Sequence, residues 1–447
     1  MKKGMFFALA ASSLLFSACS SDDAVVSTEG QNEAVQQIVL QVASSGDGLT
    51  TRAGRPLYSS QALQTIQNVR VVIYNADTKK IVKDATQDWT KSTTYNNHGH
   101  GRQFTLTFKG NDRLEKGNYK VMAVGYSNES DYEYSLNATS AVGLTYDDIT
   151  ATLKAGKKEA EEVFAGDADL KIGDDKKITN LTSGEENGVA VTLHRQVAGS
   201  FGYFQNIPAS VNGKAAATLR LVVRDKNDVL TFNNFNSSFT ANGATGSTIK
   251  YYVNGSKSTS AATADAKFYN NEDGYVLYSI DLSKWFTEGD KNKDGLLNAE
   301  DTWQHPSSVN TQVVKGSVFG SNFVIPFNYA KGKSTMELQL LDAENNIIKT
   351  WTVSIPKDDV NTDTANGVKD ASTSIFNVVR NHMYNLGVKT SNGTTPDPSN
   401  PDPKPTDPDP DKPDPGKDEP EDLTKSQNLI LKVNDNWEAI HKLELGE

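Results

Sequence analysis

From Leu429 to Leu445 the odd-numbered residues read Leu429, Leu431, Val433, Asp435, Trp437, Ala439, His441, Leu443 and Leu445; seven of these nine are apolar, while six of the eight even-numbered residues are polar. Side chains of a strand point alternately to its two faces, so a period of two specifies one long strand with a single buried face. At ~3.3 Å per residue these 17 residues span roughly 55 Å, far beyond the usual strand of five or six. The preceding stretch, residues 394–427, holds ten of the fifteen prolines, interleaved with Asp and Lys. Such a segment buries no apolar area and reads as an extended, semi-rigid spacer. An amphipathic strand on a spacer has no partner of its own and needs an open sheet edge elsewhere, which is strand addition.

A second segment repeats the pattern. Gln37-Ile38-Val39-Leu40-Gln41-Val42 matches Asn428-Leu429-Ile430-Leu431-Lys432-Val433 residue type by residue type. Between that first strand and the body of the chain lies Gly46–Arg55, a polar, Gly-containing loop with two arginines. Exposed segments of this kind are where proteases cut. The reading that follows is cleavage by a trypsin-like protease between Arg52 and Ala53, or alternatively after Arg55. The cut releases a first strand whose plug residues are Ile38, Leu40 and Val42. The vacated groove then accepts the look-alike strand of another copy, through Leu429, Leu431, Val433, Trp437, Leu443 and Leu445. The bland alternative keeps residues 37–42 paired and folds the C-terminal strand onto its own domain.

Between residues 57 and 393 the signal is β. Val69–Tyr74 is a β-branched run with a return strand at Lys80–Val82, and Phe104–Phe108 alternates cleanly. Tyr119–Val124, Val189–Phe204, Thr218–Val223, Tyr275–Ile280, Asn322–Phe327, Met336–Leu341 and Ile347–Ile355 follow, bounded by Gly, Asn and Asp clusters. Such spacing reads as antiparallel β-sandwiches, with short helical candidates only at Ser60–Gln67 and Ala299–Trp303. The polar stretch Asp174–Asn187 places a division near residue 188. With 56 acidic against 45 basic residues, the net charge of −11 argues against a nucleic-acid-binding surface. One cysteine and six histidines leave little for zinc or thiol catalysis.

The N-terminal residues read as an address. Lys2 and Lys3 precede the apolar run Met5–Phe16, too short to span a bilayer, and small residues lead to Cys19. Leu15-Phe16-Ser17-Ala18-Cys19 resembles a lipobox with Cys19 as the lipid acceptor, and Ser20-Ser21-Asp22-Asp23 resembles the acidic export signal of Bacteroidetes surface lipoproteins.

Together with Thr51-Arg52-Ala53, the segments Leu193–Ala198, Gly320–Pro326 and Val379–Val388 make the chain resemble the Bacteroidales fimbrillins, or type V pilins, and especially the major subunit of the minor-fimbria (Mfa) branch. The resemblance implies an all-β fold of two tandem transthyretin-like antiparallel β-sandwich domains and a tethered C-terminal donor strand. The residues themselves divide the chain into a lipoprotein signal peptide (1–19), a propeptide with the first strand (20–52), an N-terminal domain (53–188), a C-terminal domain (189–393), a Pro/Asp-rich linker (394–427), which is unusual for the family, and the donor strand (428–447). The resemblance further implies a non-enzymatic stalk subunit at the cell surface. Its partners would be other copies of itself, anchor and tip subunits, an arginine-specific protease, the outer membrane through the precursor's lipid, and host or bacterial surface ligands.

One loop carries separate chemistry. Asp290, Asn292, Asp294, Leu296, Asn298 and Asp301 fall at ligand positions of a twelve-residue calcium loop, with Gly295 at its sharp turn. Here Leu296 contributes its backbone carbonyl, and a bound Ca2+ would brace the insertion between Trp285 and Trp303. The bland alternative is an acidic surface loop. His98-Gly99-His100 reads as a solvated loop, and Arg380-Asn381-His382 as a strand end without a nucleophile. The rival to a stalk subunit is a carbohydrate-binding surface lipoprotein of a glycan-uptake system, with exposed Trp285 and Trp303 as its platform; a fimbrial anchor or accessory subunit is a third reading.

Overall fold

The computed structural model describes residues 35–42, 67–91, 93–94, 102–127, 130–135, 141–182, 187–233, 254–258, 264–309, 313–327, 336–354, 369–370, 375–376, 378, 380, 383–387, 418–425, 428–430 and 432–434. The fold is all-β. In chain order the first strands are β1 (Gln36–Val42), β2 (Asn68–Asn75), β3 (Ile81–Asp88), β4 (Thr93–Thr94), β5 (Arg102–Phe108), β6 (Gly117–Tyr126), β7 (Tyr132–Tyr134), β8 (Thr150–Leu153), β9 (Phe164–Ile172), β10 (Gly188–Arg195) and β11 (Ala198–Gln205).

Eight of these form one path, β3-β2-β6-β9-β10-β1-β5-β4. It folds over at β9 and β10, which pair only at His194 with Ala165 and Arg195 with Phe164. The corner needs backbone to approach backbone, and a Cβ on Gly166 would fall 1.9 Å from the Thr192 carbonyl oxygen. The two halves thereby face each other as a sandwich. Ile38, Leu40, Leu106, Val189, Val191 and Leu193 fill it from one side; Val69, Val71, Ile73, Val121 and Phe164 fill it from the other.

The run Val69–Tyr74 is apolar almost throughout because it is buried on both faces. Its alternate members Val72 and Tyr74, with Met122 and Val124 of β6, pack outward beneath a small sheet of β7, β8, Val229–Thr231 and Gly255–Ser256.

The second core lies between two further sheets. One runs Ser317–Val324, β11, Met383–Leu386, Lys432–Asn434; the other runs Ala266–Lys267, Asp273–Asp281, Thr218–Val223, Met336–Leu341, Ile347–Ser354, Asn428–Ile430. Phe201, Tyr203, Leu219, Leu338, Trp351 and Tyr384 are buried between them. Most pairings are antiparallel, but β1 runs parallel to β10, and β11 runs parallel to Met383–Leu386.

The chain passes from the first path to the second core at Gln196 and Val197, later than the division expected near residue 188, because β10 still pairs with β1 and β9. The uninterrupted strand expected over Val189–Phe204 is therefore two strands. Gln196 makes the break: its Nε2 donates to the His194 carbonyl at 2.8 Å and the Ala165 carbonyl at 3.3 Å. Arg380 Nη1 and Asn254 Nδ2 in turn donate to Gln196 Oε1, both at 3.2 Å. Asn227 Nδ2 donates to the Pro326 carbonyl at 2.6 Å nearby, and a Cβ on Gly255 would meet that same oxygen. Gln196, Arg380 and Asn254 thus meet at one buried polar junction, with the Pro326 carbonyl close by. The helical candidate at Ala299–Trp303 is a series of turns, and no helix among the described residues is long and apolar enough to cross a membrane.

Candidate strand-exchange site

β1 occupies an interior lane rather than an edge. It pairs with β10 on one side, from Gln37 opposite Gly188 to Val42 opposite Leu193, and with β5 on the other, from Gln36 opposite Phe108 to Val42 opposite Arg102. Ile38 and Leu40 are fully buried in the first core, and Val39 is buried on the opposite face. At ~1.5–3 kcal/mol for each large aliphatic side chain, these three hold β1 strongly. Removing the strand would leave a slot with apolar walls and two unpaired ladder edges.

Gln36 was not anticipated as a site residue. It shares the inward face of Ile38 and Leu40, is 1% exposed, and has its whole amide engaged. Its Nε2 donates to the Leu114 carbonyl at 3.0 Å and the Lys176 carbonyl at 2.8 Å, while its Oε1 accepts from the Leu114 N–H at 2.8 Å. The signal available in the sequence was a polar residue on the buried parity of an alternating strand. Cys19, Arg52, Ala53 and Arg55 lie outside the described residues.

The C-terminal segment departs from expectation in two ways. First, the expected linker does not run free to residue 427. Glu421 and Asp422 pair with Phe204 and Gln205 of β11, and Leu423 is buried with its N–H on the Gln205 carbonyl at 3.2 Å. Asp422 accepts from Asn206 Nδ2 at 2.9 Å, Thr424 Oγ1 at 2.6 Å and Lys425 Nζ at 3.2 Å. Burial pushes its carboxyl up, but the hydrogen bonds from Thr424, Asn206 and Lys425 outweigh this and hold it at about 2, below the usual 3.8.

Second, residues 428–434 are not one projecting strand. Asn428–Ile430 pairs in parallel with Thr352–Ser354, and Lys432–Asn434 pairs antiparallel with Met383–Asn385. Leu429 is fully buried in this chain's own second core. Period-two alternation specifies a buried face without specifying whose core buries it, and an edge in the same molecule is met at high effective concentration. Val433 lies in the second of these short strands; Leu431, Trp437, Leu443 and Leu445 lie outside the described residues.

The two ends of the Pro/Asp-rich stretch come together. Met383–Leu386 and Glu421–Asp422 follow one another along the same side of β11, opposite residues 199–202 and 204–205. Between them Gly387, at φ +78°, sits so close that an added Cβ would lie 2.5 Å from the Tyr203 carbonyl oxygen and 3.2 Å from the Glu421 nitrogen.

The twelve-residue loop is formed at a distance from this site in sequence. Asp290 Oδ2 accepts from the Gly295 N–H at 2.9 Å, and Gly295 has φ +87°. Asn292 and Asp294 accept from the N–H groups of Asp294 and Leu296, and Asn298 from that of Glu300. Asp301 is 6% exposed, and its oxygens accept from the N–H groups of Lys291 and Asn298. Asp290 Oδ1 is buried with no hydrogen-bond partner. Among the described residues no three His, Cys, Asp or Glu side chains stand close enough to hold an ion by themselves. A cation here would draw on amide and main-chain oxygens as well.

The expected aromatic platform does not form. Trp285 is 2% exposed in the second core, with Trp303 and His305 rings 6.1 and 5.7 Å from it. Trp303 Nε1 donates to the Ser317 carbonyl at 2.7 Å. Both indoles brace the loop from within.

No family model matches the chain, and no curated protein matches it in sequence. Among solved structures, the tip fimbrial protein Mfa3 of Porphyromonas gingivalis is 9% identical at a TM-score of 0.35, over 82% of this chain and 96% of that one. A fimbrial assembly protein of Parabacteroides distasonis is 13% identical at a TM-score of 0.30, over 80% and 92%. The fimbrial anchor protein Mfa2 of P. gingivalis is 11% identical at a TM-score of 0.33, over 79% and 90%, so the structures to which this chain is similar include Mfa-type fimbrial proteins.

Proposed function

We propose that the chain is a structural subunit of a surface fimbrium, exported as a lipoprotein through Cys19 and joined to further copies by donor-strand exchange. The observation that carries this reading is the placement of β1. It is an interior strand of the first core, and the chain that follows it carries Arg52 and Arg55 before the body resumes. A cut after Arg52 leaves β1 held by contacts alone. A strand of the same residue types, Asn428–Val433, is the natural competitor for its lane. In this reading the short strands at 428–430 and 432–434 are the donor's resting place, and Leu423 with Asp422 is the fixed base from which it swings out. The loop Asp290–Asp301 is a proposed structural calcium site.

The test compares the full chain cleaved after Arg52 with an Arg52→Ala/Arg55→Ala chain, on a denaturing gel without boiling. Ladders from the cleaved chain alone are expected, with the peptide containing Gln36–Val42 released into the supernatant. Cleaved protein that stays monomeric at high concentration with that peptide still bound overturns the reading.

A further inference from the structure

We infer that Gln427 sets the register of strand exchange by taking, in the next copy, the socket that Gln36 fills in the precursor. The inference rests on the strand-exchange reading and sharpens it to one side chain. The socket is built of main-chain groups: the Leu114 N–H and C=O and the Lys176 C=O, all three engaged by one buried amide. When β1 departs, all three lose that partner. The Leu114 groups are buried and the Lys176 carbonyl part-buried, and buried main-chain groups are rarely left unpaired, so a replacement strand is selected for a side chain that satisfies them. That side chain must donate twice and accept once, with the reach of two methylenes. Among the uncharged side chains glutamine alone supplies this at Gln36's length.

The look-alike match extends to that position. Gln36-Gln37-Ile38-Val39-Leu40-Gln41-Val42 stands against Gln427-Asn428-Leu429-Ile430-Leu431-Lys432-Val433, and Gln427 is the one glutamine after residue 418. With Gln427 in the socket, Leu429 and Leu431 fall where Ile38 and Leu40 fill the core. A slip of one residue would turn every apolar side chain to the wrong face. A slip of two would bring Lys425 or Leu429 to the socket. Lysine has no acceptor for the Leu114 N–H, and leucine answers none of the three groups. The socket therefore excludes the register that brings Leu429 to it, which the apolar alternation alone permits because Leu431 and Val433 would still fill the places of Ile38 and Leu40.

The experiment uses the full chain cleaved after Arg52, as wild type, Gln427→Ala and Gln427→Glu. Glutamate keeps the length but turns the two donors into acceptors facing the Leu114 and Lys176 carbonyls. An unchanged melting temperature of each uncleaved precursor establishes that the variants fold. The readouts are the dissociation rate of the ladders and amide hydrogen exchange at Leu114. Wild-type ladders are expected to protect the Leu114 amide as the precursor does. Both variants are expected to form ladders that dissociate about tenfold faster or more, with that amide exposed to exchange. Variant ladders as durable as wild type, with Leu114 equally protected, overturn the assignment of Gln427 while leaving strand exchange standing. Absence of ladders from the wild type overturns both.

Discussion

Arg195 ends the inward-facing row Val189, Val191, Leu193 of β10, a position where a charge is costly unless it is met. Glu162, 3% exposed, accepts from Arg195 Nε, and the guanidinium lies 5.2 Å from the centre of the Phe164 ring. Removing one member of a buried pair strands the other, so Glu162→Ala is expected to cost ~3–5 kcal/mol in denaturant unfolding. An Arg195→Met/Glu162→Leu double variant, which removes both charges, should recover most of that loss. Asp422 poses the opposite case, a carboxylate whose charged form is favoured by the fold. Its folded pKa of about 2 lies below the ordinary 3.8, so its contribution is fully present above about pH 4 and is lost as the pH falls toward 2. The protection factor of the Leu423 amide should fall across that window. In Asp422→Asn it should be lower throughout and lose the pH dependence; a wild-type anchor equally protected at pH 5 and pH 2 would count against this role.

At the level of strands, burial of Ile38 makes a quantitative claim. Ile38→Ala deletes a fully buried side chain and should destabilise the precursor by ~2–5 kcal/mol in chemical denaturation. Under the proposed strand exchange, the same change weakens the hold on β1, so ladders should form faster after cleavage at Arg52. What the sequence disclosed of these elements follows from periodicity. Phe104–Phe108 alternates because only one face of β5 meets the core, and Val69–Tyr74 is continuous because both faces of β2 are covered. The break between β10 and β11 was not legible, because it is made by the Gln196 side chain bonding main-chain carbonyls rather than by Gly or Pro. The pairing of Asn428–Ile430 and Lys432–Asn434 with this chain's own strands was legible only as the alternative, since alternation is blind to which sheet edge is open. Leu423 offered a signal that composition hid, a single large apolar residue at the end of an acidic, proline-rich run. The spacing of Asp290–Asp301 carried the proposal of a calcium site, and the structure adds the buried, unpartnered Asp290 Oδ1. A carboxylate oxygen that accepts one N–H keeps a further lone pair, so the loop's own hydrogen bonds leave capacity for a cation. Calcium at a hundredfold its Kd should raise the melting temperature of chelator-treated protein by roughly 5–10 °C, and Asp301→Ala should abolish the shift.

For the whole molecule, the Pro/Asp-rich stretch changes role once both its ends are seen. A spacer between subunits must begin on one body and end on another. Here Gly387 and Glu421 stand side by side at Tyr203, and Asp418 already accepts from the Tyr203 hydroxyl at 3.1 Å. Gly387 and the segment 418–425 therefore both stand on the second core beside Tyr203, and in the proposed exchange the strand that would reach the next copy starts beyond 425. Under the proposed strand exchange, the reach between copies would then be independent of the length of the proline run. Replacing residues 391–415 with a linker of about six Gly and Ser residues should leave ladder formation after Arg52 cleavage unchanged in rate and extent. Because loop-closure entropy falls with the logarithm of loop length, the shortened chain should be more stable by about 1 kcal/mol. An intersubunit tether makes the contrary demand: shortening it would slow or abolish ladders and leave the unfolding free energy of the monomer untouched. Measuring both quantities on one variant decides between a closed surface loop and a tether, since each arrangement moves a different one.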